Sequence, residues 1–357
     1  MRRHPELPGN FRPILAGLDV SSIGIGTYLG EPDDATDRLY REAIEVALEG
    51  GLNLADSAVN YRWQRSERAV GTVMRAMIDA QRLCREEVVV ATKGGYITFD
   101  GAPPPDPRGW FEERFIRSGI IAPGEMVDGS HCIAPRYLEA MLQLSRQNLG
   151  VETVDIYYLH NPEAQLGAVA QRDFIARIRR AFEFLERMVA EGRIAVYGTA
   201  TWSGYRVSVD DKSHLELEEL AKTAIEVGGR DHHFRVIQLP YNLGMPEALT
   251  LANQQVAGRP ATILQAAAEL DIAVCASASL LQGRLSRGLP AVVAKAFEGL
   301  ASDAQRAAQF VRSTPGVDIA LVGMKSAGHV REMLEMAKVA PAPPEAFSRL
   351  FEPNPRP

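Results

Sequence analysis

Four ionisable side chains sit where apolar runs give way to polar ones. Asp56 and Tyr61 lie in NLADSAVNYRWQRSER, Lys93 closes EVVVATK, and His160 closes TVDIYYLH. A free phenol has a pKa of about 10 and a free ammonium about 10.4. An ammonium beside the phenol favours the phenolate and lowers the phenol's pKa. A carboxylate pairs with the ammonium, fixing it and keeping it charged. An imidazole hydrogen-bonds a carbonyl oxygen and orients it. Together the four suit proton donation to an oxygen on which negative charge is building. The sequence carries no metal-ligand spacing, no nucleophile elbow and no pair of catalytic carboxylates, which leaves carbonyl chemistry. Reduction needs hydride, and no side chain supplies it, so a nicotinamide cofactor is implied. Singly, each residue has a plainer reading: a helix cap for Asp56, a surface aromatic for Tyr61, a solvated amine for Lys93, a satisfied core histidine for His160. Jointly, the plainer reading needs four coincidences at neighbouring strand ends.

The elements that must position these groups alternate strictly. Short apolar runs (SIGIGTY, LNLADS, EVVVATK, TVDIYYLH, IAVYGTA, FRVIQLPY, IAVCASAS, IALVG) are each followed by an amphipathic segment of helical period. The segment APRYLEAMLQLSRQNLG places Pro135 in the first helical turn and Gly150 at its end. Eight strand–helix pairs predict a parallel sheet with right-handed crossovers, closed into an α/β fold of the (β/α)8 TIM-barrel type. The catalytic face of such a barrel lies where the strands end, which is where Asp56, Lys93 and His160 fall. The whole chain, residues 1–357, is expected to form one barrel domain. An open doubly wound sheet is the competitor, and GIGTYLG mimics a dinucleotide fingerprint at the first strand. Glu31, Asp33 and Asp34 follow at once, and their charge would repel a pyrophosphate. One connection is unusually long: residues 95–133, proline-rich at GAPPPDPRGWF, between the third strand and its helix.

Composition sets the outer bounds. The 357 residues are 46% hydrophobic and 24% charged, with a net charge of −6, which gives no electrostatic case for nucleic acid. The basic N-terminal stretch MRRHPELPGNFRP is not followed by an apolar run, so no signal peptide is expected. No segment is long and apolar enough to span a bilayer, so no membrane partner is expected. Cys84, Cys132 and Cys275 are widely spaced, offer no zinc pattern and fit a reducing cytoplasm, with at least two of them buried and inert.

The stretches GLNLADSAVNY, VVVATKGG, NLGVETVDIYYLHNPE, VIQLPYNL and LVGMKSAGHVRE, in this order, resemble the aldo-keto reductases. The resemblance implies a barrel that binds NADP(H), ahead of NAD(H), in an extended pose. It makes Tyr61 the general acid/base, with Lys93 and Asp56 tuning it and His160 positioning the substrate carbonyl. It assigns cofactor contacts to Gly26, Thr27, Asp56, Ala200, Thr201, Gln238, Ser277, Leu280, Gln282, Gly323, Lys325, Ser326, His329 and Glu332. Among these, Gln238 would meet the carboxamide, Lys325 a 2′-phosphate and Glu332 the adenine. No metal is implied.

Departures from the family pattern fall on the cofactor side. Where the family usually carries a Ser-Asn pair after the fifth strand, YGTATW has Ala200 and Thr201. Where it usually stacks a tyrosine on the nicotinamide, ASASLLQGRL has Ser277, so Trp202 or Tyr241 is a candidate substitute. Tyr28, Trp63 and Trp110 are candidate walls of the substrate pocket. Arg62 and Arg65, close to Tyr61 in sequence, suggest a polar or anionic substrate. Residues 95–133, with Trp110, Phe111 and Phe115, read as a lid over the mouth, or else as a surface excursion or oligomer contact. The leading function is an oxidoreductase interconverting an aldehyde or ketone and an alcohol, its partner a small carbonyl or alcohol. The alternatives are an aldose or polyol dehydrogenase running oxidatively, a nicotinamide-binding regulatory subunit with little turnover, and a barrel isomerase or lyase without nicotinamide.

Overall fold

The computed structural model describes residues 18–343 continuously, the backbone of residues 11–15, and residues 7, 345, 347 and 349–351. Most of the basic N-terminal stretch therefore lies outside the described residues. Eight parallel strands close into a barrel: β3 (Ile23–Gly26), β4 (Leu54–Asp56), β5 (Val89–Gly94), β6 (Val154–His160), β7 (Ile194–Ala200), β8 (Phe234–Pro240), β11 (Ala273–Ser277) and β12 (Ile319–Gly323). Every neighbouring pair is parallel, and β11 joins β8 to complete the ring. Strand–helix alternation is as the sequence predicts, through α1 (Asp34–Glu49), α2 (Arg65–Asp79), α4 (Pro135–Leu149), α5 (Gln171–Ala190), α6 (Leu217–Gly228), α8 (Ile263–Glu269), α10 (Asp303–Ser313) and α11 (Ala327–Ala337).

Local chemistry sets these elements. In α1 the Asp33 carboxylate caps the Thr36 N–H at 2.7 Å, and Tyr40, Ala43, Ile44 and Ala47 bury one face at helical spacing. Helix α4 starts with Pro135 and stops at Gly150, whose φ of +68° is the left-handed cap that glycine adopts without steric cost. In α5, Phe174, Ile178, Phe182 and Leu185 are buried against the sheet, each contributing about 1.5–3 kcal/mol by leaving water. A second core fills the barrel itself, built from Leu54, Val89, Ile156, Tyr158, Val236 and Ile319 among others.

Further elements went unread in the sequence. An antiparallel hairpin, β1 (Phe11–Leu15) with β2 (Leu18–Ser21), precedes the barrel, and its Val20 joins the interior core. A second hairpin, β9 (Gln254–Val256) with β10 (Arg259–Ala261), lies between β8 and α8. Short helices α7 (Glu247–Thr250) and α9 (Ala291–Ala296) occupy the later connections.

The connection 95–133 is packed. Its base is closed by Cys132 N–H to Gly95 O at 2.8 Å and Ile97 N–H to Ser130 O at 2.8 Å. Helix α3 (Pro107–Phe111) continues into a π-turn, Glu112–Arg117. Phe115, Ile121 and Cys132 form an apolar cluster with Val59, Tyr137 and Met141, so the segment shares a core with the Tyr61 loop and α4. Of the cysteines, Cys132 and Cys275 are buried and Cys84 is exposed. Among the described residues no helix is long and apolar enough to cross a membrane.

Candidate active site

Lys93 is fully buried inside the barrel. Its Nζ donates to Asp56 Oδ1 at 2.7 Å, Asp56 Oδ2 at 2.9 Å and Ser57 O at 2.8 Å. Burial by itself pulls the ammonium's pKa down. The Asp56 carboxylate, with Tyr61 beside it, outweighs burial and holds the Lys93 pKa above its ordinary value. The backbone of Asp56 is fixed in turn, because both the N–H and the hydroxyl of Thr27 donate to its carbonyl, at 3.1 and 2.9 Å. Gln238 Nε2 closes the network on Asp56 Oδ2 at 2.8 Å.

Tyr61 stands above this pair, half-buried, with the Lys93 ammonium 4.7 Å from its ring centre. Lys93 pulls the phenol's pKa down, as the sequence suggests, but burial is larger and Asp56 adds to it. The net shift is upward. Tyr61 is thus held protonated, and the expectation of a net lowering is corrected by the cost of an anion out of water. The His160 ring lies 5.8 Å from the Tyr61 ring, edge-on, and Tyr28 packs on Tyr61 from another side at 4.9 Å. Burial, then Lys93 and His131, hold the His160 pKa well below the usual range, so the imidazole is neutral. The four residues come together at the carboxyl ends of β4, β5 and β6 and in the loop after β4.

The loop bearing Tyr61 is unusual. Arg62, Trp63 and Gln64 all have positive φ, at 48°, 52° and 73°, a conformation that costs residues other than glycine about 1–3 kcal/mol each. Contacts on both sides enforce it. Arg62 donates to Glu31 O at 2.9 Å and pairs with Asp37, and Gln64 Nε2 donates to Phe99 O at 2.7 Å. Arg65 pairs with Asp34 at 2.9 Å and with Asp37 at 2.5 Å. Arg62 and Arg65 are therefore committed to α1 carboxylates, which corrects the suggestion that they bias the mouth toward anions.

The residues expected to meet a cofactor are distributed around the rim. Gly26, Ser277 and Leu280 are half-buried, Ala200 and Thr201 buried, and Gln282 and Gly323 exposed. The Thr201 hydroxyl is buried without a hydrogen-bond partner, and so is His160 Nδ1. Lys325 and His329 are exposed at the start of α11, where Ser326 caps the His329 N–H at 3.4 Å, and Glu332 accepts from the Ser302 hydroxyl. Of the two aromatics offered in place of a stacking tyrosine, Tyr241 is fully buried, stacked on Phe310 and bonded to Thr314. Trp202, 48% exposed at the end of β7, is the one at the surface. Trp63 packs on Phe99 and Phe99 on Trp110, joining the Tyr61 loop to the long connection.

Other residues at the mouth escaped the sequence reading. Tyr96 packs edge-on against both His160 and His131, at 5.0 and 4.9 Å, and its hydroxyl accepts from Asn161 Nδ2 at 3.1 Å. Glu163 Oε1 gathers the N–H groups of Trp202, Ser203 and Gly204 at 2.9, 3.1 and 3.3 Å, fixing the loop after β7. The run NPE, directly after the strand that ends in His160, was the available signal for Asn161 and Glu163.

A family model described as the Aldo/keto reductase family matches residues 22–222, more than half the chain. The chain belongs to the aldo/keto reductase family. It is 25% identical over 222 residues to a D-threo-aldose 1-dehydrogenase of a Pseudomonas species, covering 60% of this chain and 58% of that one. It is 25% identical over 188 residues to the NADH-specific methylglyoxal reductase of Escherichia coli K12, covering 51% and 49%. Each match thus spans less than two thirds of the relative's length. Among solved structures, an aldo/keto reductase from Klebsiella pneumoniae in complex with NADP and acetate superposes with a TM-score of 0.62 at 20% identity, covering 95% of this chain and 94% of that one. The holo form of an aldo-keto reductase from Bacillus halodurans gives 0.65 at 18% identity, covering 96% and 95%. At these identities the structural likeness shows the barrel.

Proposed function

We propose that the protein is an NAD(P)(H)-dependent oxidoreductase that interconverts an aldehyde or ketone and an alcohol, with Tyr61 as general acid/base. The observation that carries this reading is the buried Lys93–Asp56 pair set directly against a protonated phenol at the mouth of the barrel. Hydride is the chemistry a nicotinamide supplies when bound. The chain's own residues then do the rest. Neutral His160 offers its imidazole to the carbonyl oxygen and orients it. Tyr61 gives its proton to that oxygen as charge builds there. Lys93 stabilises the phenolate left behind, and Asp56 keeps Lys93 charged and in place. In the oxidative direction the same phenolate takes the proton back.

The residues present fit a nicotinamide. The orphaned, buried Thr201 hydroxyl at the end of β7 suits a carboxamide, and Trp202 is the rim aromatic nearest it in sequence. Lys325, exposed beside the start of α11, favours NADP(H) ahead of NAD(H). Residues 95–133 act in this reading as a packed wall of the mouth, with Tyr28, Trp63 and Trp110 about the substrate. The name of the Pseudomonas relative favours one second reading, oxidation of an aldose, on the same residues.

The test is a fluorescence titration with NADPH and NADH, followed by turnover of simple aldehydes and aldoses. Saturable quenching and carbonyl-dependent loss of NADPH absorbance are expected. Absence of any cofactor response would overturn the reading in favour of a barrel without nicotinamide.

A further inference from the structure

The histidine at position 131, in the long connection, bonds to the catalytic strand. His131 is 1% exposed, and its Nε2 lies 2.7 Å from the carbonyl oxygen of His160, the last residue of β6. Its Nδ1 lies 2.7 Å from Gln165 Nε2. Gln165 is fully buried, and its Oε1 accepts from Arg177 on α5. Arg177 also donates to Gly124 O at 2.7 Å, within the connection.

These contacts fix a tautomer. A guanidinium only donates, so the Gln165 atom facing Arg177 must be its oxygen. The Gln165 amide nitrogen therefore faces His131 and donates to Nδ1. An imidazole nitrogen that accepts carries no proton, so the proton sits on Nε2, where it is given to the His160 carbonyl. Burial holds the His131 pKa down at about 4, so the ring stays neutral and the direction of the chain does not reverse near neutral pH.

The backbone makes room for this bond. Gly95 has a φ of +154°, and a Cβ there would lie 2.8 Å from His160 O and 3.0 Å from His131 Nε2. Tyr96, the next residue, packs edge-on against both imidazoles.

Resting on the carbonyl-oxidoreductase reading above, we infer that His131 is a positioning residue for His160: the chain Arg177–Gln165–His131 anchors the end of β6 and so sets the His160 ring against Tyr61. The long connection thereby acts as a strut of the catalytic histidine.

The test compares His131→Phe, which removes the donor, with His131→Gln, which keeps an N–H near the Nε2 position. NADPH-dependent turnover of methylglyoxal and 4-nitrobenzaldehyde is measured beside Tyr61→Phe. His131→Phe should lower kcat by about ten-fold or more, as small misplacements of a reacting group do, with the NADPH Kd unchanged. His131→Gln should recover most of that loss. A fully active His131→Phe beside an inactive Tyr61→Phe overturns the positioning role alone. Full activity of Tyr61→Phe overturns the underlying reading instead. Nitrogen-15 NMR of labelled histidines checks the chain without turnover, and also serves if His131→Phe does not fold. The expected result is a neutral, Nε2-protonated His131 at pH 7 that loses this tautomer preference in Gln165→Met. A His131 protonated on Nδ1, or charged at pH 6, overturns the inference.

Discussion

Inside the barrel the Lys93 ammonium and the Asp56 carboxylate meet at 2.7 and 2.9 Å, with Lys93 fully buried and Asp56 5% exposed. Such a pair adds little over an apolar core of the same shape, but removing one partner strands the other. Asp56→Asn should therefore destabilise the fold by about 3–5 kcal/mol, read as a lower urea midpoint at unchanged m-value, and should depress turnover. A shift worth less than about 1 kcal/mol would mean that the pair behaves as a solvated one.

His131 gives a pH signature. Its folded pKa of about 4 lies below the unfolded value of about 6.5. Folding thus favours the neutral ring, and the stability so gained is complete above about pH 6.5. It is lost as pH falls toward 4, because the unfolded chain takes up the proton first. Over that window the wild type should lose about 3 kcal/mol that His131→Gln does not lose, from the 2.5-unit difference. His160 is shifted in the same direction, chiefly by burial and Lys93, which both proteins keep. Denaturant unfolding at pH 7 and pH 4 measures the difference. Parallel losses in the two proteins would refute it.

Phe115, 1% exposed in the connection, packs on Trp110, Phe111 and Tyr137. If the segment is a structural wall, Phe115→Ala should cost about 3–5 kcal/mol, as truncation of a buried aromatic does. A surface excursion would give less than about 1 kcal/mol. Differential scanning calorimetry separates the two.

Cofactor preference turns on Lys325. Lys325→Ala should raise the Kd for NADPH by about ten-fold, the scale of one charge-assisted hydrogen bond, and leave NADH nearly unchanged. Equal changes for both cofactors, in a fluorescence titration, would remove Lys325 from the 2′-phosphate.

Much of this molecule is legible in its sequence because barrel strands are short, apolar and followed by capped helices. Val154–His160 and Ile194–Ala200 end where the apolar runs do and begin within one residue of their starts. Asp56, Lys93 and His160 stand out because each is the polar end of such a run. The β1–β2 hairpin does not stand out: Pro13 interrupts its first strand, a residue that reads against a strand interior. His131 is invisible for another reason. Its partners, Gln165 and His160, lie 34 and 29 residues away, and no spacing rule joins them. The same holds for Arg62, whose charge suggests a ligand until Asp37 is seen opposite it. The raised pKa of Tyr61 also needed the fold, because spacing reveals the neighbouring ammonium but not how much water the barrel mouth excludes.

The proton on Tyr61 is the centre of the proposed chemistry, and its removal is the most direct test. In Tyr61→Phe, aldehyde-dependent oxidation of NADPH, followed by absorbance, should fall by about 10² or more, while fluorescence titration gives the wild-type NADPH Kd. Wild-type turnover by Tyr61→Phe would contradict the assignment outright.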